Sequence, residues 1–342
     1  MPLISVLDQS PIRAGATPAD AVAESIELAR LADRLGFHRY WVAEHHSSDG
    51  LAGSVPEILI ARLANETTRI RVGSGGVMLP HYAPLKVAET FRMLETMYPG
   101  RIDLGIGRAP GSDQRTARAL AYTREPIPIE YFPRQVQDLM DWMDGDLEDD
   151  HPFRGVAAQP AGPTSPPVWL LGSSDQGGQV AAHFGTAYSF AHFITEGGEP
   201  VVDMYRKRFR PSKTLAEPQA NIGVFVICAE TEEEAEVHAA SRDLWRVRLD
   251  QGHITPIPTP EEALNHDYTE AERERAAFHR RRNIVGTPEQ VREKLDALLA
   301  RYGVGEAVVV TITHDHQARL KSYELLAKAY DLSPAAGAEA AE

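Results

Sequence analysis

The chain has 342 residues, 43% of them hydrophobic and 25% charged, with a formal net charge of −14. That length and balance suit one large globular domain or two ordinary ones, and the acidic surplus argues against nucleic acid or an anionic membrane as partner, since either would repel it. The single cysteine, Cys228, excludes an internal disulfide, and no apolar run reaches membrane-spanning length.

Residues 3–7 are the first expected strand. Residues 18–35 follow as a helix, with Thr17 as N-cap, Pro18 at its first position and Gly36 as its stop. Strand 39–42 precedes helix 56–65, strand 70–78 precedes helix 84–97, and strand 102–106 precedes helix 131–143. Beyond a proline-rich crossing at 160–167 come strand 168–171 with helix 176–184, and strand 187–191 with helix 199–208. Strand 221–229 with helix 232–248, and strand 306–312 with helix 318–330, complete the series.

Strand-then-helix units of this kind predict a parallel sheet with helices outside, and eight is the number that closes a (β/α)8 TIM barrel. A doubly wound open sheet is the alternative, but the Gly-x-Gly-x-x-Gly fingerprint expected after its first strand is missing. Insertions are expected after the fourth strand, at the acidic, proline-rich 144–167, and after the seventh, at the polar 251–282. The second reads as an insertion or a mobile lid. Residues 1–332 are expected to form one domain, and 333–342 a disordered tail. The first six residues lack a basic secretory start, so a cytoplasmic protein is expected.

In a closed barrel the active site lies at the C-terminal ends of the strands. Those ends carry Asp8-Gln9-Ser10, Glu44-His45-His46, Gly75-Gly76, Gly107-Arg108, Gly172-Ser173-Ser174-Asp175, His192 and Thr313-His314-Asp315-His316. Each has a bland counterpart. Asp8 to Ser10 could be a turn capping its own backbone, Gly75-Gly76 a bulge, and 173–177 a helix N-cap and nothing more. His81, His314 and His316 read as solvated loop residues, and Cys228, in an apolar run, as a buried inert thiol.

Adjacent histidines point apart on an extended chain and no third ligand is evident, so no metal is expected. His45 as acid or base, with Glu44 as its partner, is the better reading. Arg108 and residues 173–177 stand on adjacent expected strands and could grip one phosphate from two sides. One phosphate and a glycine-rich resting place suggest a mononucleotide such as FMN. Gln9, Ser10, His192, Phe193 and the second insertion are expected to wall the substrate pocket.

The stretches Tyr40-Trp-Val-Ala-Glu-His-His, Arg71-Val-Gly-Ser-Gly-Gly-Val-Met-Leu-Pro, Gly100-Arg-Ile-Asp-Leu-Gly-Ile-Gly-Arg, Pro167-Val-Trp-Leu-Leu-Gly-Ser-Ser and Val285-Gly-Thr-Pro-Glu-Gln-Val resemble, in this order, the bacterial luciferase-like flavin monooxygenases. The resemblance implies a homodimeric (β/α)8 barrel that takes reduced FMN from a separate reductase. Reaction with O2 would give a flavin C4a-(hydro)peroxide that oxygenates a small organic substrate. It implies His45 as the catalytic proton manager and Gly75-Gly76 as a cis pair under the flavin ring. Arg108, Leu171, Ser173, Ser174 and Gly177 would complete the flavin site. Two departures stand out. Gly177 replaces a hydroxyl residue, leaving only its backbone N–H for phosphate, and Gly107 replaces a cysteine of luciferase itself, removing support for light emission. A deazaflavin-dependent dehydrogenase on the same barrel and a non-catalytic flavin binder are the alternatives.

Overall fold

Eight parallel strands close on themselves in the computed structural model, which describes residues 1–108, 113–122, 127–145 and 147–333. Residues 109–112 of the glycine-rich stretch and the expected tail from 334 onward lie outside the described residues. The barrel strands are Leu3–Asp8, Arg39–Val42, Arg71–Ser74, Ile102–Gly107, Val168–Gly172, Ala187–Ala191, Ala220–Cys228 and Glu306–Val310. Each pairs in parallel with the next, and the last returns to pair with the first. The expected (β/α)8 TIM barrel is therefore what the chain forms. No helix among the described residues is long and apolar enough to cross a membrane.

Local signals set the helix limits. Thr17 and Asp20 form a reciprocal capping box at the start of Pro18–Leu35, and Gly36 ends that helix in the left-handed region at φ 88°. The third strand is shorter than expected. It breaks into Arg71–Ser74 and Val77–Met78 around Gly75-Gly76, whose peptide bond is cis. The polar insertion holds two helices, Pro260–Leu264 and Glu270–Arg280, and is followed by a short strand, Asn283–Gly286, on the flank of the seventh barrel strand. A further helix, Gln114–Ala121, begins the excursion after the fourth strand.

Period-two alternation divides the strand residues between two cores. Ile4, Val6, Tyr40, Val42, Val72, Leu104 and Ile106 pack between sheet and helices. Leu7, Trp41, Trp169, Ala187, Val308 and Val310 fill the lumen. Below them lies an ionic layer. Arg39 donates to Asp103 Oδ2 at 2.7 Å and to Glu306 Oε1 at 2.6 Å, while Arg71 donates to Asp103 Oδ1 at 2.6 Å. Ser5, at 2.6 Å, and Asn221, at 3.2 Å, also donate to Glu306. Burial alone would raise the Asp103 carboxyl, but Arg39 and Arg71 outweigh it and hold it below the usual carboxylate range.

Removing one partner of a buried ion pair leaves an uncompensated charge. Arg39→Met is expected to cost about 3–5 kcal/mol, read from urea unfolding, since two carboxylates lose their shared cation. A change below about 1 kcal/mol would mean that the layer is solvated rather than sealed.

Candidate functional site

The upper lumen is open. A cavity at the C-terminal ends of the strands is lined by Gln9, His45, Gly75, Gly76, Arg108, Leu171, Ser173, Ser174, Gly177 and Phe193, with Leu7, Trp41 and Val308 below them. Ten of the sequence-derived site residues thus meet in one place. Glycine is required at the pair by close approach rather than by the cavity. A Cβ on Gly75 would come within 2.5 Å of Leu7 Cδ1, and one on Gly76 within 2.7 Å of the Gly105 carbonyl oxygen.

One end of this cavity is built for an anion. Ser174 caps the helix Asp175–Phe184, its hydroxyl accepting from Gly177 N at 3.4 Å. Arg108 leaves the neighbouring strand and donates to Gln176 Oε1 and, at 3.5 Å, to Ser174 Oγ. A cation, hydroxyls and the positive end of a helix dipole converge there. A side chain on Gly177 would meet its nearest neighbours only at 3.6 Å or beyond, so the missing hydroxyl leaves room rather than a packed wall. The rest is lined largely by apolar side chains, among them Leu7, Trp41, Met78 and Leu171. This donor set fits a ligand with one phosphate and a planar ring, as a flavin mononucleotide has.

His45 stands between the two ends and a second, outer cavity, and lines both. Its Nδ1 is buried without a hydrogen-bond partner among the described residues. Burial, aided by His46, pushes its pKa down to about 4, so the ring is neutral at pH 7. Glu44 is not its partner, contrary to expectation. That fully buried carboxylate accepts from Tyr82 Oη at 2.7 Å and from Met78 N at 2.9 Å, and pairs with His46 Nε2 at 2.6 Å. Adjacent residues on an extended segment face opposite ways, so Glu44 can serve His46 but not His45.

Other sequence-derived residues lie off the cavity walls. Ser10 turns its hydroxyl to Ser25 at 3.0 Å, and Asp8 accepts from Ser10 N at 2.7 Å, the self-capping turn. His192 Nδ1 lies 3.0 Å from Tyr302 Oη, away from the lumen, because the period-two alternation that sets Ser189, Ala191 and Phe193 on the cavity wall turns His192 to the opposite face. His81 and His316 are buried rather than solvated, His316 lying 3.0 Å from Glu27. No group of three or more metal-ligating side chains is gathered among the described residues.

The outer cavity, about 460 Å³, is walled by Leu51, Phe193, Phe225, Trp245, Leu249 and Ile254, with Arg242, Arg246 and Arg282 among them. Four of the nine, Arg242, Trp245, Arg246 and Leu249, come from the helix Glu232–Asp250 and were not expected in the site. The polar insertion is anchored beside it. Ile257 is fully buried and exchanges backbone hydrogen bonds with Ile12 and Ala14 at 2.8 Å, and Trp245 Nε1 donates to Thr255 O at 3.0 Å.

Comparison with known proteins gives one answer. A family model described as luciferase-like monooxygenase matches residues 3–306. The luciferase-like monooxygenase of Escherichia coli (strain K12) is 40% identical over 94% of this chain and 95% of its own. The N-acetyl-S-alkylcysteine monooxygenase of Bacillus subtilis (strain 168) is 36% identical over 95% of this chain and 97% of its own. The crystal structure of apo-MsnO8 superposes with a TM-score of 0.89 at 41% identity, covering 98% of this chain and 100% of that one. Below 25% identity, likeness in fold alone extends to a diketocamphane monooxygenase component of Pseudomonas putida in complex with FMN, at a TM-score of 0.68 and 98% of both chains. It extends equally to an F420-dependent secondary alcohol dehydrogenase, at a TM-score of 0.71 and 96% and 98% of the two chains.

The depressed pKa of His45 has a signed consequence. Above the unfolded-state value near 6.5 its neutral form contributes fully to stability, and that contribution drains away as pH falls toward about 4, because the unfolded chain takes up the proton first. His45→Gln is therefore expected to unfold with a shallower pH dependence between those limits. Parallel curves for the two proteins, measured by denaturant unfolding at stepped pH, would show that His45 is solvated.

Proposed function

The chain belongs to the luciferase-like monooxygenase family, and from that premise we propose that it uses FMN, delivered reduced by a separate flavin reductase, together with O2 and a small organic substrate. The observation that carries this reading is the single anion grip of Arg108 and the capped helix at one end of a glycine-floored slot that ends at His45. Bound there, a reduced flavin supplies the two electrons that, with two protons, let O2 give one oxygen atom to the substrate and the other to water.

The protein's own residues then have separate tasks. Arg108, Ser173 and Ser174 hold the phosphate, with backbone N–H groups of 173–177 in support. Leu171 and the Gly75-Gly76 pair bear the ring. His45, neutral at pH 7, presents both an N–H and a lone pair, and with no partner at Nδ1 among the described residues its tautomer is set by what binds beside it. That leaves it able to pass a proton at the boundary of the flavin and substrate cavities. Phe193 and Ile194 line both cavities, and the anchored insertion keeps water from the outer one. Among substrates, a thioether such as an N-acetyl-S-alkylcysteine is the first to try, on the likeness to the Bacillus subtilis enzyme.

A deazaflavin-dependent dehydrogenase is the second reading, favoured only by the likeness in fold to the F420 enzyme. Anaerobic fluorescence titration separates the two. Reduced FMN is expected to bind in preference to reduced F420, and Arg108→Gln to weaken it about 10- to 100-fold, the value of a charge-assisted phosphate contact. Preference for F420 without O2 uptake would overturn the proposal.

The chain is also expected to dimerise. Leu63, Val87, Phe91 and Leu94 are spent on the barrel's own core, whereas Ile58, Met93 and Met97 on the same two helices are exposed. Sedimentation velocity should show a dimer that Ile58→Glu weakens, and a monomer at every concentration would refute it.

A further inference from the structure

Among its described lining residues the outer cavity carries more positive than negative charge. Arg242 is only 3% exposed, yet its Nε and Nη1 are buried without a hydrogen-bond partner among the described residues. Its nearest carboxylate oxygen, Asp243 Oδ1, is 3.7 Å from Nη1, and the other oxygen of Asp243 is taken by Arg280. Arg282, 6% exposed, likewise has an unpartnered Nε. Of the other carboxylates nearby, Asp250 is shared by Arg246, Arg275 and His279, and Glu196 faces Arg281 at 3.6 Å. Among the described residues lining the cavity there are three arginines and one carboxylate, Asp113, which caps its own helix through Thr116.

Buried guanidinium donors are normally paired, and an unpaired one costs stability unless a ligand uses it. Burial pulls the pKa of Arg242 down to about 9, against the opposing pull of Asp243. The guanidinium is held in place by stacking, its central carbon 3.8 Å from the centroid of Phe225, which packs in turn on Phe193 at 5.3 Å. Those two rings, with Trp245, Leu249, Leu51 and Ile254, give the wall an apolar stretch, and Gln9, His45, His46, Ser47 and Ser48 line its polar remainder. Against a protein of net charge −14, an anion needs such a local concentration of positive charge to enter at all.

We propose that the substrate is an organic anion, a carboxylate or sulfonate joined to an apolar group, whose charged end pairs with Arg242 and Arg282 while its apolar part lies between Phe193, Phe225 and Trp245 and reaches toward His45. This rests on the reading of the outer cavity as the substrate site beside a flavin. A volume near 460 Å³ suits a molecule of drug-fragment to drug size rather than a polymer. The fork geometry of arginine favours a planar carboxylate in two-point contact.

The test uses three matched probes, 4-phenylbutyrate, 4-phenylbutanamide and 4-phenylbutan-1-ol, titrated calorimetrically into the protein. The carboxylate is expected to bind at least about tenfold tighter than either neutral analogue, the value of one charge-assisted pair. Arg242→Gln should bring the three within about twofold, and Arg242→Lys should keep part of the preference. Reduced-FMN affinity, measured on the same samples, should stay at the wild-type value. That control separates the two readings, since loss of reduced-FMN binding by the wild type would sink the flavin assignment and leave the anion preference standing on its own. Equal affinities for the three probes in the wild type, or an undiminished preference in Arg242→Gln, would overturn the proposal. If Arg242→Gln does not fold, Arg282→Gln decides: the preference must fall at least threefold, and an unchanged one rejects the anion site.

Discussion

Three strands of the barrel share one buried guanidinium, and the site above depends on that arrangement. Arg39 bridges Asp103 and Glu306 from three different strands, and its cationic face also lies 5.3 Å from the Trp41 ring centroid and 4.7 Å from that of Trp169. Those two indoles meet edge to face at 5.2 Å. A closed eight-strand sheet leaves a lumen that must be filled by side chains or water. Here the lower part is filled by an ionic layer and the middle by the tryptophan pair, so only the upper part is left for a ligand. Trp41 is at once the lid of the ionic layer and the floor of the inner cavity.

The same two-residue stepping explains why the cavity exists. Along the third, fourth and seventh strands the inward sequence runs Arg71-x-Gly73-x-Gly75, Asp103-x-Gly105-x-Gly107 and Asn221-x-Gly223-x-Phe225. Each starts with a polar residue in the ionic layer and loses its side chain above it. A Cβ on Gly105 would lie 2.0 Å from the Ser74 carbonyl oxygen, so that glycine also lets two strand backbones come close. Gly107 is different, with its nearest neighbour at 3.6 Å, and its lack of a side chain widens the cavity instead of relieving a clash. The departure from luciferase at this position therefore leaves open space at the cavity wall, where a Cβ would meet nothing closer than 3.6 Å.

Much of this was legible in the sequence because it is periodic or punctuated. The eight strand-helix units were each marked by apolar runs and by caps such as Thr17 and Gly36, and the strand ends named most of the inner cavity. What escaped was not periodic. The strand Asn283–Gly286 is four residues long, and the helices Pro260–Leu264 and Glu270–Arg280 are polar on nearly every face. Their start signals were present nonetheless, as Thr259-Pro260 and the capping box of Thr269 with Glu272. Side-chain direction was the harder failure. Only the two-residue alternation of an extended chain tells, in the string Glu44-His45-His46, that the carboxylate takes His46, and Ser10 and His192 sit within a residue or two of positions that do reach the cavity.

Arg242 had a signal that a reading of strand ends could not use. In the helix Glu232–Asp250 the buried positions include Ala235, Ala239, Arg242 and Trp245, so the arginine occupies the apolar face at helical spacing. A charge at a core position is either paired within the protein or kept for a ligand. The barrel supplies its own control for that distinction. Arg39 is equally buried and is matched on both sides by carboxylates, which is what a structural arginine in this molecule looks like. Arg319 is matched by Asp8 at 2.6 Å and by the Thr311 carbonyl at 2.9 Å, although its Nη1 has no partner among the described residues. Arg242 has no carboxylate within hydrogen-bond distance among the described residues, the nearest being Asp243 at 3.7 Å, and it borders the outer cavity that His45 shares with the inner one. The molecule thus carries two separate cationic positions, Arg108 on the inner cavity and Arg242 on the outer one, with a neutral imidazole lining both.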